Sequence, residues 1–198
     1  MMAWERAVLA ALLAGGVGFL ALGSPRTLGV ERSIPSGVRL AGTVLALLAG
    51  GLYVLTGGAV AVVTAWASVL AAMADIVDRV IPHRWVLLLA LTGVVRMGMG
   101  SLVWLPTMVL AAALGAFFLV VYIVLRGGIG LGDVKLATAM GIGLGWPIGL
   151  DAVVYGLLAG GLWGALLLVL RRARARDSIA FGPFLALGVL IALLVRPG

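Results

Sequence analysis

The sequence predicts an all-α, polytopic transmembrane helical bundle of about eight membrane segments. Three observations carry that reading. Hydrophobic residues make up 64% of the 198 positions and charged residues only 11%, with a mean hydropathy of +1.26, far from the composition of soluble domains. Apolar runs long enough to cross a bilayer as helices, roughly 17–25 residues each, recur from one end to the other. Residues 1–198 therefore read as a single integral-membrane domain with no room for a water-soluble one. The basic residues also gather in alternate loops, as the positive-inside tendency requires.

Segment one covers about residues 6–23, and the turn and charge residues Ser24, Pro25, Arg26, Arg32, Pro35 and Ser36 mark its exit. Small Ala21 and Gly23 are compatible with signal-peptide cleavage, but Arg6 offset by Glu5 is a weak n-region, which argues against it. Segment two covers about residues 40–56 and segment three about 59–74, ending on Asp75. A charged loop from Asp75 to Arg84 follows, in which Pro82 stops any helical continuation before segment four begins near Trp85. Segment four ends between Arg96 and Trp104, and segment five covers about 105–125. Segment six, about 134–150, is short, glycine-rich and interrupted by Trp146-Pro147. Segment seven covers about 151–170, and segment eight about 179–195 beyond a basic loop. Among the 30 glycines, the pairs Gly141/Gly145 and Gly156/Gly160 have the spacing that lets membrane helices approach closely. Trp4, Trp85 and Trp104 fall near segment ends, where interfacial anchoring explains them.

Odd-numbered loops take most of the 14 basic residues. Arg26, Arg32 and Arg39 flank loop one, Arg79 and Arg84 lie in loop three, and Arg126 and Lys135 flank loop five. Arg171, Arg172, Arg174 and Arg176 fill loop seven, where orientation and contact with anionic lipid account for them. Only Arg6, Arg96 and Arg196 fall on the other side. The odd loops are thus expected to face the cytoplasm. Asp75 and Asp133 then sit at the cytoplasmic ends of their segments, on one face of the membrane.

Several function classes are excluded at this stage. Cysteine is absent, so there is no disulfide, no thiol nucleophile and no thiolate metal site. His83 is the only histidine, and neither a metal nor a cofactor is expected. A net charge of +7 is confined to short loops and segment ends, with no basic domain for nucleic acid.

The stretch from Gly127 to Lys135 concentrates the chemistry. A carboxylate near membrane depth costs several kcal/mol unless it is paired, protonated or wetted, which makes Asp133 a functional candidate. Flanking Gly130 and Gly132 admit unusual backbone and allow another chain to come close. The plainer alternative is a glycine-rich turn with a charged cap. Asp75 lies 58 residues earlier and is brought to the same face. Two carboxylates sharing a site hold one proton between them, so that one activates water while the other polarises the scissile carbonyl. Asp78, three residues beyond Asp75, is the rival for the first position; a solvated loop acid near Arg79 or Arg84 is its ordinary explanation.

Gly130-Leu131-Gly132-Asp133, followed by Val134-Lys135-Leu136, resembles the GxGD signature of the type IV prepilin peptidase family of membrane aspartic proteases. Asp75, seven residues before Pro82, is similar to the family's first aspartate motif, and residues 179–186, Ile-Ala-Phe-Gly-Pro-Phe-Leu-Ala, resemble its IPFGPxLA segment. The three stand in the family's order across 74–186. The resemblance implies a multi-pass enzyme of a prokaryotic cytoplasmic membrane that removes the basic leader of type IV prepilins or pseudopilins at the cytoplasmic face. Asp75 and Asp133 would form the catalytic pair, with Gly130, Gly132, Lys135, Pro82, Gly182 and Pro183 binding substrate or shaping the site. Partners would be the precursor and membrane lipid, with oligomeric state left open. The chain departs from the pattern at His83, where the family often has Asn, and at Ala180, which replaces a Pro. Larger bifunctional members carry paired CxxC motifs in a cytoplasmic region and methylate the new N-terminus; here loop one is short and cysteine-free, so methyltransferase activity is not expected. Two alternatives stand beside this one: a preflagellin-like signal peptidase of the same chemistry, and a channel or transporter using the aspartates for a cation or proton. Transport predicts acids spread through the membrane interior or across both faces, whereas proteolysis needs them gathered at the cleavage site; the inner parts of the segments hold almost none, and Asp151 stands at a segment end.

Overall fold

A computed structural model describes residues 33–38, 40, 44, 59–125, 129–171 and 180–196. Segment one, almost all of segment two, Trp4, Arg26, Arg32, Arg39, Arg126 and the arginines at 172, 174 and 176 lie outside the described residues. Every regular element within them is helical, apart from turns. After a short helical stretch at 36–38, six helices follow one another among the described residues: α1 Ala59–Asp78, α2 His83–Gly98, α3 Trp104–Leu125, α4 Leu131–Leu144, α5 Ile148–Val169 and α6 Gly182–Val195. Two of them, α3 and α5, are long and apolar enough to cross a membrane by length and composition.

The helix ends fall where backbone chemistry places them. Helix α1 runs about one turn past the expected end of segment three, because nothing before Pro82 interrupts its hydrogen-bond ladder. Asp75 is therefore inside a helix, not in the loop. The chain leaves α1 at Arg79, which takes a left-handed φ of 57°, and Pro82 caps the start of α2. Helix α4 ends at Gly145, whose φ of 69° suits a residue without Cβ. Segment six is consequently divided: α4 stops at Leu144, and residues 148–150 open α5 at Pro147. Segment eight starts three residues later than expected, at Gly182, with Pro183 in the first turn where a missing N–H is harmless.

Helix α4 is the centre of the bundle. It packs on α2, α3 and α5 and touches α6, while α1 joins α2 to α6 and α5 lies along α6. Its Leu136, Ala137, Met140 and Leu144 are buried in the main core with Leu89, Leu110, Leu114 and Phe118. Glycine permits the tightest crossings. Gly93 of α2 sits against the carbonyl of Ile142, and Gly141 of α4 against Cα of Ala111 on α3. One to two turns along, Gly115 of α3 faces Thr138 of α4, which fixes the antiparallel register of that pair. Hydroxyl groups add polar links between α1 and α2, where Thr64 Oγ1 donates to Thr92 Oγ1 at 3.1 Å.

Successive helices alternate in direction, so the bundle has two distinct ends. At one, Arg196 Nε meets Asp151 Oδ2 at 3.0 Å, and Arg96 Nη1 donates to the carbonyls of Gly143 and Leu144 at 3.3 Å each, capping the C-terminus of α4. The C-terminal end of α1 and the starts of α2, α4 and α6 meet at the other.

Candidate active site

That second end gathers most of the residues singled out in the sequence. Asp75 lies about one turn from the end of α1 and is only 6% exposed. Its Oδ2 accepts a hydrogen bond from the Gly182 N–H at 3.0 Å. Asp133 stands in the first turn of α4, not in the preceding loop, and is 5% exposed. The Gly130 N–H donates to its Oδ2 at 3.1 Å, while its own N–H donates to the Gly130 carbonyl at 3.0 Å. Each carboxylate is thus tied by one oxygen to a glycine amide. Oδ1 of Asp133 is buried and accepts no hydrogen bond from the described residues, an uncommon state for a buried polar atom.

Both acids lie outside the two candidate membrane-spanning helices. Burial first, and then the charge of Asp75, push the Asp133 carboxyl up to about 6 against the opposing Gly130 hydrogen bond. Burial raises Asp75 as well, with the Gly182 N–H and the Arg79 charge acting in the other direction. The charge of Asp75 is felt at Asp133, so ionising one acid disfavours ionising the other.

The remaining residues form the surround. A Cβ on Gly132 would stand 3.2 Å from Ile81, so the bare glycine allows the loop before Pro82 to pack on the start of α4. Ile81 itself is buried; nothing in its local sequence singled it out. Lys135 and His83, both exposed, meet at 3.0 Å between Nζ and Nε2, joining the starts of α4 and α2. Lys135 thus faces His83, and 52 residues of separation had hidden the partnership. Asp78 is half-buried at the last position of α1. Pro183 occupies the first turn of α6 beside Gly182.

An unfavourably buried carboxyl makes a stability prediction. The folded-state value of about 6 lies above the unfolded value of 3.8, so the native state holds this proton more tightly. The penalty appears as pH rises from about 4 and is complete above about 6. Asp133→Asn is expected to stabilise the protein at pH 7.5 by on the order of 2–3 kcal/mol, with the gain lost at pH 4. Thermal unfolding in detergent at the two pH values measures it; an equal change at both would refute the assignment.

A family model described as the type IV leader peptidase family matches residues 62–165, more than half of the chain and inclusive of both acids. The chain belongs to that family. Among curated proteins, this leader peptidase family member is 34% identical over 158 residues to a prepilin leader peptidase/N-methyltransferase of Burkholderia pseudomallei, covering 76% of this chain and 51% of the relative. Proteins of the same description from Pseudomonas aeruginosa and Bacillus subtilis are each 30% identical, over 152 and 127 residues. These matches cover 74% and 64% of this chain, and 49% and 51% of the relatives. The chain spans about half the length of the curated relatives it matches. No solved structure matches it.

Proposed function

We propose that this protein is a membrane-embedded aspartic endopeptidase that removes the basic leader from type IV prepilin or pseudopilin precursors. The observation that supports the reading is that two buried carboxylates, from helices distant in sequence, lie at the same end of the bundle. Aspartic-type peptide hydrolysis uses such an arrangement. The ionised member of the pair takes a proton from water as its oxygen attacks the scissile carbonyl, and the protonated member donates to the developing oxyanion. Collapse of the tetrahedral intermediate breaks the C–N bond, and the amine leaves with a proton returned by the dyad. Asp75 and Asp133 fill these roles. Gly130, Gly132, Pro82, Lys135, Gly182 and Pro183 shape the surround and the path of the extended substrate.

In this reading the chain is a multi-pass protein of a prokaryotic plasma membrane with about eight segments, its basic loops and acids on the cytoplasmic side. Exposed apolar side chains on α3 and α5, among them Val120, Ile123, Leu158 and Leu162, meet lipid. Methyl transfer, named jointly for the relatives, is not assigned to this chain. Transport is disfavoured by the placement of the other described acids: Asp151 is paired with Arg196 at the far end, and Asp78 closes α1.

The test is cleavage of a prepilin-like peptide, with its basic leader and following apolar stretch, by the wild-type protein in liposomes. One cut at the leader boundary is expected. Cleavage of a preflagellin-like peptide alone would reassign the substrate, and proton-coupled ion uptake without cleavage by either would replace the peptidase reading with transport.

A further inference from the structure

We infer that Gly182 is a positioning residue of the aspartate pair: its main-chain N–H holds Oδ2 of Asp75, and its lack of a side chain is what lets the amide come close enough. The inference rests on the peptidase reading for its catalytic meaning, but the contact itself does not.

Donor accounting at the start of α6 supports it. Four N–H groups at a helix start have no partner within the helix. Here Pro183 has no N–H, and those of Phe184 and Leu185 both go to the Phe181 carbonyl, at 3.0 and 3.2 Å. The Gly182 N–H goes to Asp75 across 107 residues of sequence. Space points the same way. A Cβ at position 182 would lie 2.9 Å from Asp75 Oδ2 and 3.1 Å from Asp75 Cβ, so any larger residue displaces the carboxylate or the helix start. The amide is itself held from behind. Phe181 lies between Phe118 of α3 and Phe184, with ring centroids 6.1 Å apart in each pair, and it seats against Gly160 of α5, where a Cβ would come within 2.6 Å of its ring. Three helices therefore fix the peptide that aims one N–H at Asp75. Oδ1 of Asp75 is left as the oxygen that meets water or substrate.

The charge of Arg79, beyond the end of α1, acts on Asp75, and that of Asp75 acts on Asp133 of α4; neither Arg79 nor Asp133 is altered by changing position 182. Replacement of Gly182 by glycolic acid, an amide-to-ester change, deletes the N–H without adding bulk. Gly182→Ala keeps the N–H but adds the obstructing Cβ, and Gly161→Ala, on an open face of α5, serves as the control. Carboxyl 13C resonances, with Asp75 assigned by its loss in Asp75→Asn, report the titration of that group directly. The ester is expected to raise the Asp75 midpoint by about one pH unit and to lower kcat roughly 10–100-fold, with KM nearly unchanged. Gly182→Ala should also lower kcat, and Gly161→Ala should do neither. An ester variant with the wild-type midpoint and kcat would overturn the inference; if the ester fails to fold, an unchanged midpoint and kcat in Gly182→Ala would do so. If the wild type cleaves no prepilin-like peptide, the peptidase reading falls and the Asp75 midpoint alone decides the contact.

Discussion

Asp75→Asn and Asp133→Asn are each expected to lower kcat/KM for a prepilin-like peptide by roughly 10³–10⁴, the scale on which a positioned acid or base contributes. Asn preserves size and shape but neither gives nor takes the proton. Both variants should fold, because each change removes a carboxyl that burial disfavours. The double variant should be no worse than either single one, since two groups that act as a unit are lost together when one is lost. Asp78→Asn is the discriminating control. Asp78 ends α1 and is half-buried, whereas Asp75 is buried against α6, so its loss should leave turnover near wild type. Cleavage in liposomes, with folding of each variant checked, measures all four. Activity kept by either single variant, or lost in Asp78→Asn, would break the assignment of the pair.

Gly93→Leu is expected to be among the most damaging single changes away from the site. The crossing of α2 over α4 is built on backbone contact from both sides: Gly93 lies against the Ile142 carbonyl, and a Cβ on Gly143 would stand 2.6 Å from the carbonyl of Leu89. No rotamer relieves a clash with main chain, so the helices must separate along the length that carries Leu89, Thr92 and Leu136. Overpacking costs typically 1–3 kcal/mol and occasionally more, and with two backbones opposed the loss here should be about 3 kcal/mol or greater. Gly161→Leu on α5, where no atom lies within 4 Å, should cost little. Thermal unfolding in detergent compares the two; equal losses would mean that the crossing is not the constraint.

The acids and glycines of the site were legible because their chemistry is costly in an apolar chain. Asp133 beside Gly130 and Gly132, Asp75 before Pro82, and Gly182-Pro183 all stand out against aliphatic surroundings, and the structure brings them to one end of the bundle. Helix boundaries were less legible. Hydropathy records where apolar side chains stop, but α1 continues through Asp75 to Asp78 because backbone hydrogen bonding does not stop there. Pro147 was visible, yet whether it bends one segment or divides two depended on the left-handed turn at Gly145. Contacts such as Ile81 with Gly132 and Lys135 with His83 are properties of helix packing. They leave no mark on local pattern. Segment one, and nearly all of segment two, remain expectations of hydropathy, lying outside the described residues.

The register of α3 against α4 carries a consequence for how water arrives. Continuing the pairings of Gly141 with Ala111 and Thr138 with Gly115 toward the end that holds the two acids brings Asp133 level with about residue 120 of α3. Helix α3 goes on to Leu125, about five residues and roughly 8 Å further at 1.5 Å per residue. Exposed Val120, Ile123, Val124 and Leu125 clothe that stretch in hydrocarbon. Helix α3 thus rises past the level of Asp133 as an apolar wall on one side of it. On the proposed peptidase reading, water has to reach the acids around that wall and not through it, and the supply of the second reactant becomes a matter of access.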